Sequence, residues 1–285
     1  MNSLYMNSFA FPDREAEYSY RFGLQETCYN TMYPFGIISK CNLQHLEFAP
    51  ITILYGGNGS GKTTALNVIA EKIHAQRETL YNRSSFFEDY VNLCEVKGSF
   101  HCTEKKIITS DDVFDYMLNV RAVNEEVDGA REEIRDEYFD VKNSKFRFES
   151  LRDYEQLKKV NLARRKTRSE YVRQNLMKNI RECSNGESAY RYFTDTVQEN
   201  GLYLLDEPEN SLSPERQIEL QQFILDSARF FGCQFIIASH SPFLLSMKGA
   251  KIYDLDEEVA TVKKWTELQN VRAYYNFFKE HDAEF

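Results

Sequence analysis

The residues Gly56-Gly57-Asn58-Gly59-Ser60-Gly61-Lys62-Thr63 constrain this chain more than any other stretch. They read G-x-x-x-x-G-K-[ST] directly after the apolar, β-branched run Ile51-Thr52-Ile53-Leu54-Tyr55. Thr63 to His74 then carries Leu66, Ile69, Ala70 and Ile73 at three-and-four spacing, which predicts a half-buried helix. A glycine-rich loop between strand and helix turns successive backbone N–H groups inward, and the helix adds the positive end of its dipole. Such a loop cradles phosphate. Lys62 is therefore expected to reach the β- and γ-phosphates of a nucleotide, and the Thr63 hydroxyl to ligate Mg²⁺. The loop residues Gly56, Gly57, Asn58, Gly59, Ser60 and Gly61, with Lys62, Thr63 and Thr64, form the expected nucleotide-binding set.

Around this loop the chain has an α/β rhythm at both ends and a different character in the middle. Short strands are expected from Phe35 to Tyr55. From Tyr81 to about Arg181 the pattern turns charged and mostly helical, with strand-like character only at Glu95 to Phe100 and Lys106 to Thr109. After Ser184 a helix to Gln198, a strand at Leu202 to Leu205, a helix after Pro214 and a strand at Gln234 to Ala238 follow. Two strands, Lys251 to Leu255 and Val259 to Lys264, and an aromatic-rich helix from Val271 to Lys279 close the chain. Strands alternating with helices predict a mainly parallel sheet with its ligand at the strand carboxyl ends.

Three further elements suit the same chemistry. Gly201-Leu202-Tyr203-Leu204-Leu205-Asp206-Glu207-Pro208 is an apolar run ending in two carboxylates. Asp206 is expected to hold Mg²⁺, while Glu207, one residue farther, is expected to orient and deprotonate the attacking water. Gln234-Phe235-Ile236-Ile237-Ala238-Ser239-His240 is another buried strand, and His240 at its end is placed to donate a hydrogen bond to the γ-phosphate. Ser184-Asn185-Gly186-Glu187-Ser188 opens a helix with the apolar face Ala189, Tyr190, Phe193 and Val197, Ser184 or Asn185 being its cap.

In this order the four elements resemble an ABC-type ATPase: Walker A at 56 to 63, the signature at Ser184 to Ser188, Walker B ending in Asp206-Glu207, and the switch His240. More narrowly, YLLDEPENSLSP (Tyr203 to Pro214) and FIIASHSP (Phe235 to Pro242) are similar to stand-alone bacterial AAA-family ATPases related to the SMC, recombination and overcoming-lysogenization ATPases. The resemblance implies a P-loop NTPase of the ABC-ATPase head type, with core segments at 1–80 and 184–285 and a charged helical insertion at 81–183. It implies Mg-dependent ATP hydrolysis with Glu207, His240 and Lys62 as catalytic residues and Thr63 and Asp206 at the metal. It also implies that Ser184, Gly186 and Glu187 bind the nucleotide held by an opposite subunit, so an ATP-dependent homodimer is expected. Three departures stand out: Asn185 replaces a second signature glycine, Ser213 stands where many relatives carry aspartate, and no glutamine lies between Arg77 and Glu155. Asp111 or Asp112 is the candidate for the position of that Q-loop glutamine.

Charge bears on the partner. The 285 residues carry a net charge of -9, yet Lys158 to Arg181 holds nine basic residues against Glu170 alone. That window suits a nucleic-acid backbone in repair or phage defence, or an acidic effector protein, and both readings stay open. A further alternative is the ATP-binding motor subunit of an ABC transporter. Met1 to Tyr20 has neither a basic start nor a long apolar run, and no stretch reaches the roughly eighteen apolar residues of a membrane span, so a cytoplasmic protein without membrane insertion is expected. Cys28, Cys41, Cys94, Cys102, Cys183 and Cys233 lack metal-site spacing and read as reduced thiols.

Overall fold

The computed structural model describes residues 4–24, 29, 31–41, 43–144, 154–175 and 185–285. The chain divides into two compact units, one of Met1–Phe114 with Asn185–Phe285 and one of Asp115–Ser184. The first unit begins with β1 (Met6–Ala10) and α1 (Arg14–Gly23), followed by β2 (His45–Glu47), β3 (Ile51–Tyr55) and α2 (Lys62–Lys72). It continues through α3 (Phe87–Leu93), β4 (Glu95–Gly98) and β5 (Glu104–Thr109) into α4 (Ser110–Asn143). The second unit holds the rest of α4 with α5 (Tyr154–Arg165) and α6 (Arg168–Asn175). The first unit resumes with α7 (Asn185–Thr196), β6 (Gly201–Asp206), α8 (Pro214–Phe230), β7 (Gln234–Ala238), α9 (Pro242–Leu245), β8 (Lys251–Asp254), β9 (Thr261–Lys263) and α10 (Gln269–Glu280).

Six strands form the main sheet in the order β5-β6-β7-β3-β8-β9. All pairings are parallel except β8 with β9. Every residue of β3, β6 and β7 is buried, as expected for parallel strands covered on both faces. The expected parallel α/β architecture is present. Thr109 pairs with Asp206, Asp206 with Ala238, and Leu54 with Ala238, so four strands end at one level. That edge carries the phosphate loop, the paired carboxylates and the histidine.

A second, antiparallel sheet of order β2-β1-β4 shares one apolar core with the main sheet, built from Met6, Phe9, Leu46, Leu66, Ile69 and Tyr90 among others. The strand β1 and helix α1 are not among the elements expected from the sequence, although α1 is amphipathic and Asp13 caps it, its Oδ1 accepting from Ala16 N at 2.7 Å. Phe35 to Cys41 forms turns and a short 3₁₀ segment, where strands are expected from the sequence. The buried carboxylate of Glu17 on α1 fastens this stretch, accepting hydrogen bonds from Gly36 N (2.8 Å), Ser39 Oγ (3.0 Å) and Tyr90 Oη (3.2 Å). Helix α2 is enclosed more fully than its periodicity suggests, because α3 covers the side that the sheet does not.

In the second unit Tyr138, Ala163 and Tyr171 are buried together, with Ile134, Val141 and Leu162 packed around them. Residues 81–114, at the start of the stretch expected as an insertion, pack in the first unit, where β5 extends the main sheet and β4 the smaller one. Among the described residues no helix is long and apolar enough to cross a membrane. Cys41, Cys94, Cys102 and Cys233 are free thiols, and Cys28 and Cys183 lie outside the described residues.

One buried side chain joins the two sheets. Gln234 Oε1 accepts from Tyr5 N and Met6 N, both at 2.9 Å, and its Nε2 donates to Met6 O (2.8 Å) and Ala49 O (3.4 Å). Gln234→Leu leaves these backbone groups buried without partners, at about 1–3 kcal/mol for each group not rescued by water. Urea denaturation is expected to show a loss of about 2–4 kcal/mol, with the secondary-structure content of the folded baseline unchanged.

Candidate nucleotide site

The phosphate loop leaves β3 and enters α2 through Gly61, whose φ of 92° lies in the left-handed region and whose backbone caps α2 without any side-chain hydrogen bond. The first N–H groups of α2 are thus left for a ligand. A Cβ on Gly56 would collide with the Ser60 side chain, so that position must be glycine for the loop to close. Ser60 Oγ is buried and has no hydrogen-bond partner, an orphan that a phosphate oxygen would satisfy. Lys62, 5% exposed, folds back on the loop, its Nζ donating to Gly56 O (2.6 Å) and Gly57 O (3.0 Å). A cavity of about 320 Å³ opens above the loop, lined by Ile37, Asn58, Gly59, Gly61, Lys62, Thr63, Thr64 and Glu207. Asp256, which follows β8, accepts Gly57 N at 2.8 Å and buttresses the loop from outside.

Thr63 Oγ1 donates to Asp206 Oδ1 at 3.0 Å, so the expected metal pair is in contact across the sheet edge. Hard oxygen donors of this kind suit Mg²⁺. Burial pushes the Asp206 carboxyl up to about 6, aided by the charge of Glu207 and opposed by the Thr63 hydrogen bond and by Lys62. Glu207 has a φ of 47°, a strained value for a non-glycine residue. That turn aims its side chain back at the loop, with Oε1 3.9 Å from Lys62 Nζ and 3.8 Å from His240 Nδ1. Asn210 Nδ2 holds the other oxygen at 3.2 Å.

Glu209, missed in the sequence, organises the histidine loop. Its Oε1 accepts from Ser239 Oγ (2.8 Å), His240 N (2.9 Å) and Ser241 N (3.2 Å), and it lies 3.4 Å from His240 Nδ1. The acidic run after β6 shows two glutamates, but nothing local says that one is 6% exposed and the other faces the cavity. The His240 carbonyl accepts from Asn270 Nδ2 at 3.0 Å, so α10 is fastened to the same loop.

A second cavity, of about 460 Å³, borders Thr63, Asp206 and Thr109 and is also lined by Arg77, Tyr81 and Asp111. Of the two aspartates considered for the missing glutamine, Asp111 lines this cavity. Asp112 is buried and engaged with its own helix start, its Oδ2 accepting from Thr109 N at 2.6 Å and Thr109 Oγ1 at 2.8 Å.

Ser184 lies outside the described residues. Gly186 packs against the loop that follows β6, where an added Cβ would stand 3.3 Å from Ser211 O. Gly186, Glu187 and Ser188 are absent from the lining of both cavities beside the phosphate loop. Ser213 caps α8, accepting from Arg216 N at 3.5 Å with Pro214 in the first turn. Among the described residues no cluster of three or more His, Cys, Asp or Glu side chains offers another metal site.

The raised Asp206 carboxyl sets a direction for stability without metal. The folded state holds the proton more tightly than the unfolded chain, so Asp206 weakens the fold progressively as pH rises from its ordinary 3.8 through about 6. In EDTA, Asp206→Asn is expected to gain about 1–2 kcal/mol more stability over wild type at about pH 8 than at about pH 5, read by urea denaturation. An equal effect at both values would contradict the burial argument.

No significant match is found among curated proteins. Among solved structures the chain is similar to a putative metal-chelate type ABC transporter in an inward-facing conformation, at 15% identity and a TM-score of 0.37 over 82% of each chain. It is also similar to the Smc head domain from Pyrococcus furiosus, with an extended coiled coil and bound to the C-terminal domain of ScpA. That likeness has 12% identity and a TM-score of 0.40, covering 83% of this chain and 95% of the other. A third is a dimeric ATP-binding cassette in a post-hydrolysis state bound to ADP and Pi, at 13% identity and a TM-score of 0.37 over 78% and 88%. A family model for an AAA domain, described as putative AbiEii toxin, Type IV TA system, matches residues 179–246. The family model described as ABC transporter matches residues 44–210, more than half of the chain and inclusive of the phosphate loop and the Asp206-Glu207 pair. The chain belongs to the ABC family of P-loop ATPases.

Proposed function

We propose that this ATPase works as a nucleotide-gated homodimer whose cycle is coupled to nucleic acid. The observation that carries the dimer is the position of Gly186. It lies beside Ser211 on the loop after β6 and lines neither cavity at its own phosphate loop, so its use in binding phosphate requires a second chain. In this reading ATP occupies the cavity over Gly56 to Thr64, and Lys62 exchanges its bonds to loop carbonyls for phosphate oxygens. Mg²⁺, when bound by Thr63 and Asp206, would neutralise charge on the β- and γ-phosphates. Glu207 accepts the proton of the attacking water, and His240, steadied by Glu209, donates to the γ-phosphate. Ser184, Gly186 and Glu187 of the other chain close the site. Product release then removes what the two chains share, and the pair opens.

The support for nucleic acid is that the basic side chains of α5 and the segment after it are largely exposed, as contact with a phosphate backbone requires. Lys158, Lys159, Arg164 and Arg165 all reach solvent, on a chain that is otherwise acidic.

Glu207→Gln keeps the shape of the carboxylate and removes the base. ATP turnover is expected to fall by about 10²-fold or more, and with ATP and Mg²⁺ the 33.5 kDa chain is expected to double its mass in light scattering. A monomer at saturating ATP would overturn the dimer.

A further inference from the structure

The second unit holds a cavity of about 360 Å³ lined by Arg131, Arg135, Arg168, Ser169 and Val172. Arg131 and Arg135 stand one turn apart on α4 and so share a face. Arg168 and Ser169 begin α6, where Thr167 and Glu170 close a capping pair: Glu170 Oε2 accepts from Thr167 N (3.0 Å) and Thr167 Oγ1 (2.9 Å). That pair engages the carboxylate next to the arginines. Arg131 keeps an ion pair with Asp128. Three guanidiniums thus line one cavity, with the carboxylates of Asp128 and Glu170 beside them. The Arg168 guanidinium lies 4.9 Å over the half-exposed Phe139 ring, and its Nε–H is buried with no hydrogen-bond partner. A buried guanidinium N–H without an acceptor costs free energy that an entering anion would recover.

We propose that this cavity seats a phosphate of a nucleic-acid strand. Arginine forks match phosphate oxygens bidentately, Ser169 adds a hydroxyl, and the Phe139 face beside Arg168 offers a surface on which a base can stack. The cavity is larger than one phosphate and in the range of a bound small ligand, as a nucleotide unit requires. A strand is favoured over a free nucleotide because the same unit also exposes Arg164 and Arg165, which suits contact with further phosphates. This rests on the nucleic-acid reading above and adds α4, whose arginines lie outside the basic window seen in the sequence.

The test uses the full chain and fluorescein-labelled oligonucleotides, single- and double-stranded, with polyglutamate and inorganic phosphate as competitors. Arg131→Gln/Arg135→Gln/Arg168→Gln is compared with wild type, and Arg135→Glu serves as a single exposed change that spares the unit's small core. Basal ATP turnover, which these residues do not touch, reports that the first unit of each variant is folded, and helix content by circular dichroism reports the second. Affinity is expected to fall about tenfold or more in the triple variant and the slope of log K against log salt to decrease by ~1, with Arg135→Glu changing in the same direction. Inorganic phosphate is expected to compete more weakly than unlabelled oligonucleotide. If wild type binds oligonucleotide and the variants match it in affinity and slope, the cavity assignment is overturned while the nucleic-acid reading stands. If wild type binds no oligonucleotide, or polyglutamate displaces it equally well, the nucleic-acid reading fails and takes the cavity assignment with it. Phosphate competing as well as oligonucleotide would reduce the site to one for a free anion and overturn the strand.

Discussion

Asp206 pairs with Ala238 across β6 and β7, and Ala238 pairs with Leu54 across β7 and β3. The loops after these three strands therefore leave the sheet at the same level, and they carry the phosphate loop, the two carboxylates and His240. A one-residue slip of β6 would turn each of its side chains to the opposite face and separate Asp206 from Thr63. Complete burial of β3, β6 and β7 enforces the pairing, because an unmatched backbone group inside the sheet has no water to turn to. The nucleotide site follows from this register more than from any single contact within it.

Around that edge, carboxylates are divided by environment. Asp206 is buried and holds its proton unusually well, Glu207 is turned into the cavity by a strained backbone, and Glu209 is enclosed as the anchor of the histidine loop. Three acids within four residues thus meet different surroundings, which is how one acidic run supplies distinct chemical groups. Asn270 extends the arrangement outward, since it bonds the His240 carbonyl and its own backbone N–H donates to Tyr55 Oη at 3.1 Å. The start of α10 is therefore fastened both to the histidine loop and to the strand that feeds the phosphate loop. The same helix shows Tyr274, Tyr275, Phe277 and Phe278 to solvent rather than to the core.

The phosphate loop, the strand ending in Asp206-Glu207 and the strand ending before His240 were legible because each joins a continuous apolar run to residues with narrow chemical uses. Helix α8 was legible from Ser213-Pro214, an N-cap with proline in the first turn. The amino-terminal strand β1 was not, since it depends on Gln234, a residue distant in sequence, for the hydrogen bonds at its start. Phe35 to Cys41 misled for a related reason: its conformation is set by Glu17, and apolar content alone cannot distinguish a strand from a packed turn.

The sequence by itself determined that nucleotide chemistry belongs here, because glycine, lysine and threonine at fixed spacing are a local requirement of phosphate binding. It also determined the family's order of elements. Only the tertiary structure decided that Glu209 anchors the histidine loop and which of Asp111 and Asp112 reaches the cavity. It likewise brought arginines from α4 and α6 to one pocket. Those outcomes depend on burial and on partners far away along the chain, which residue type and spacing do not encode.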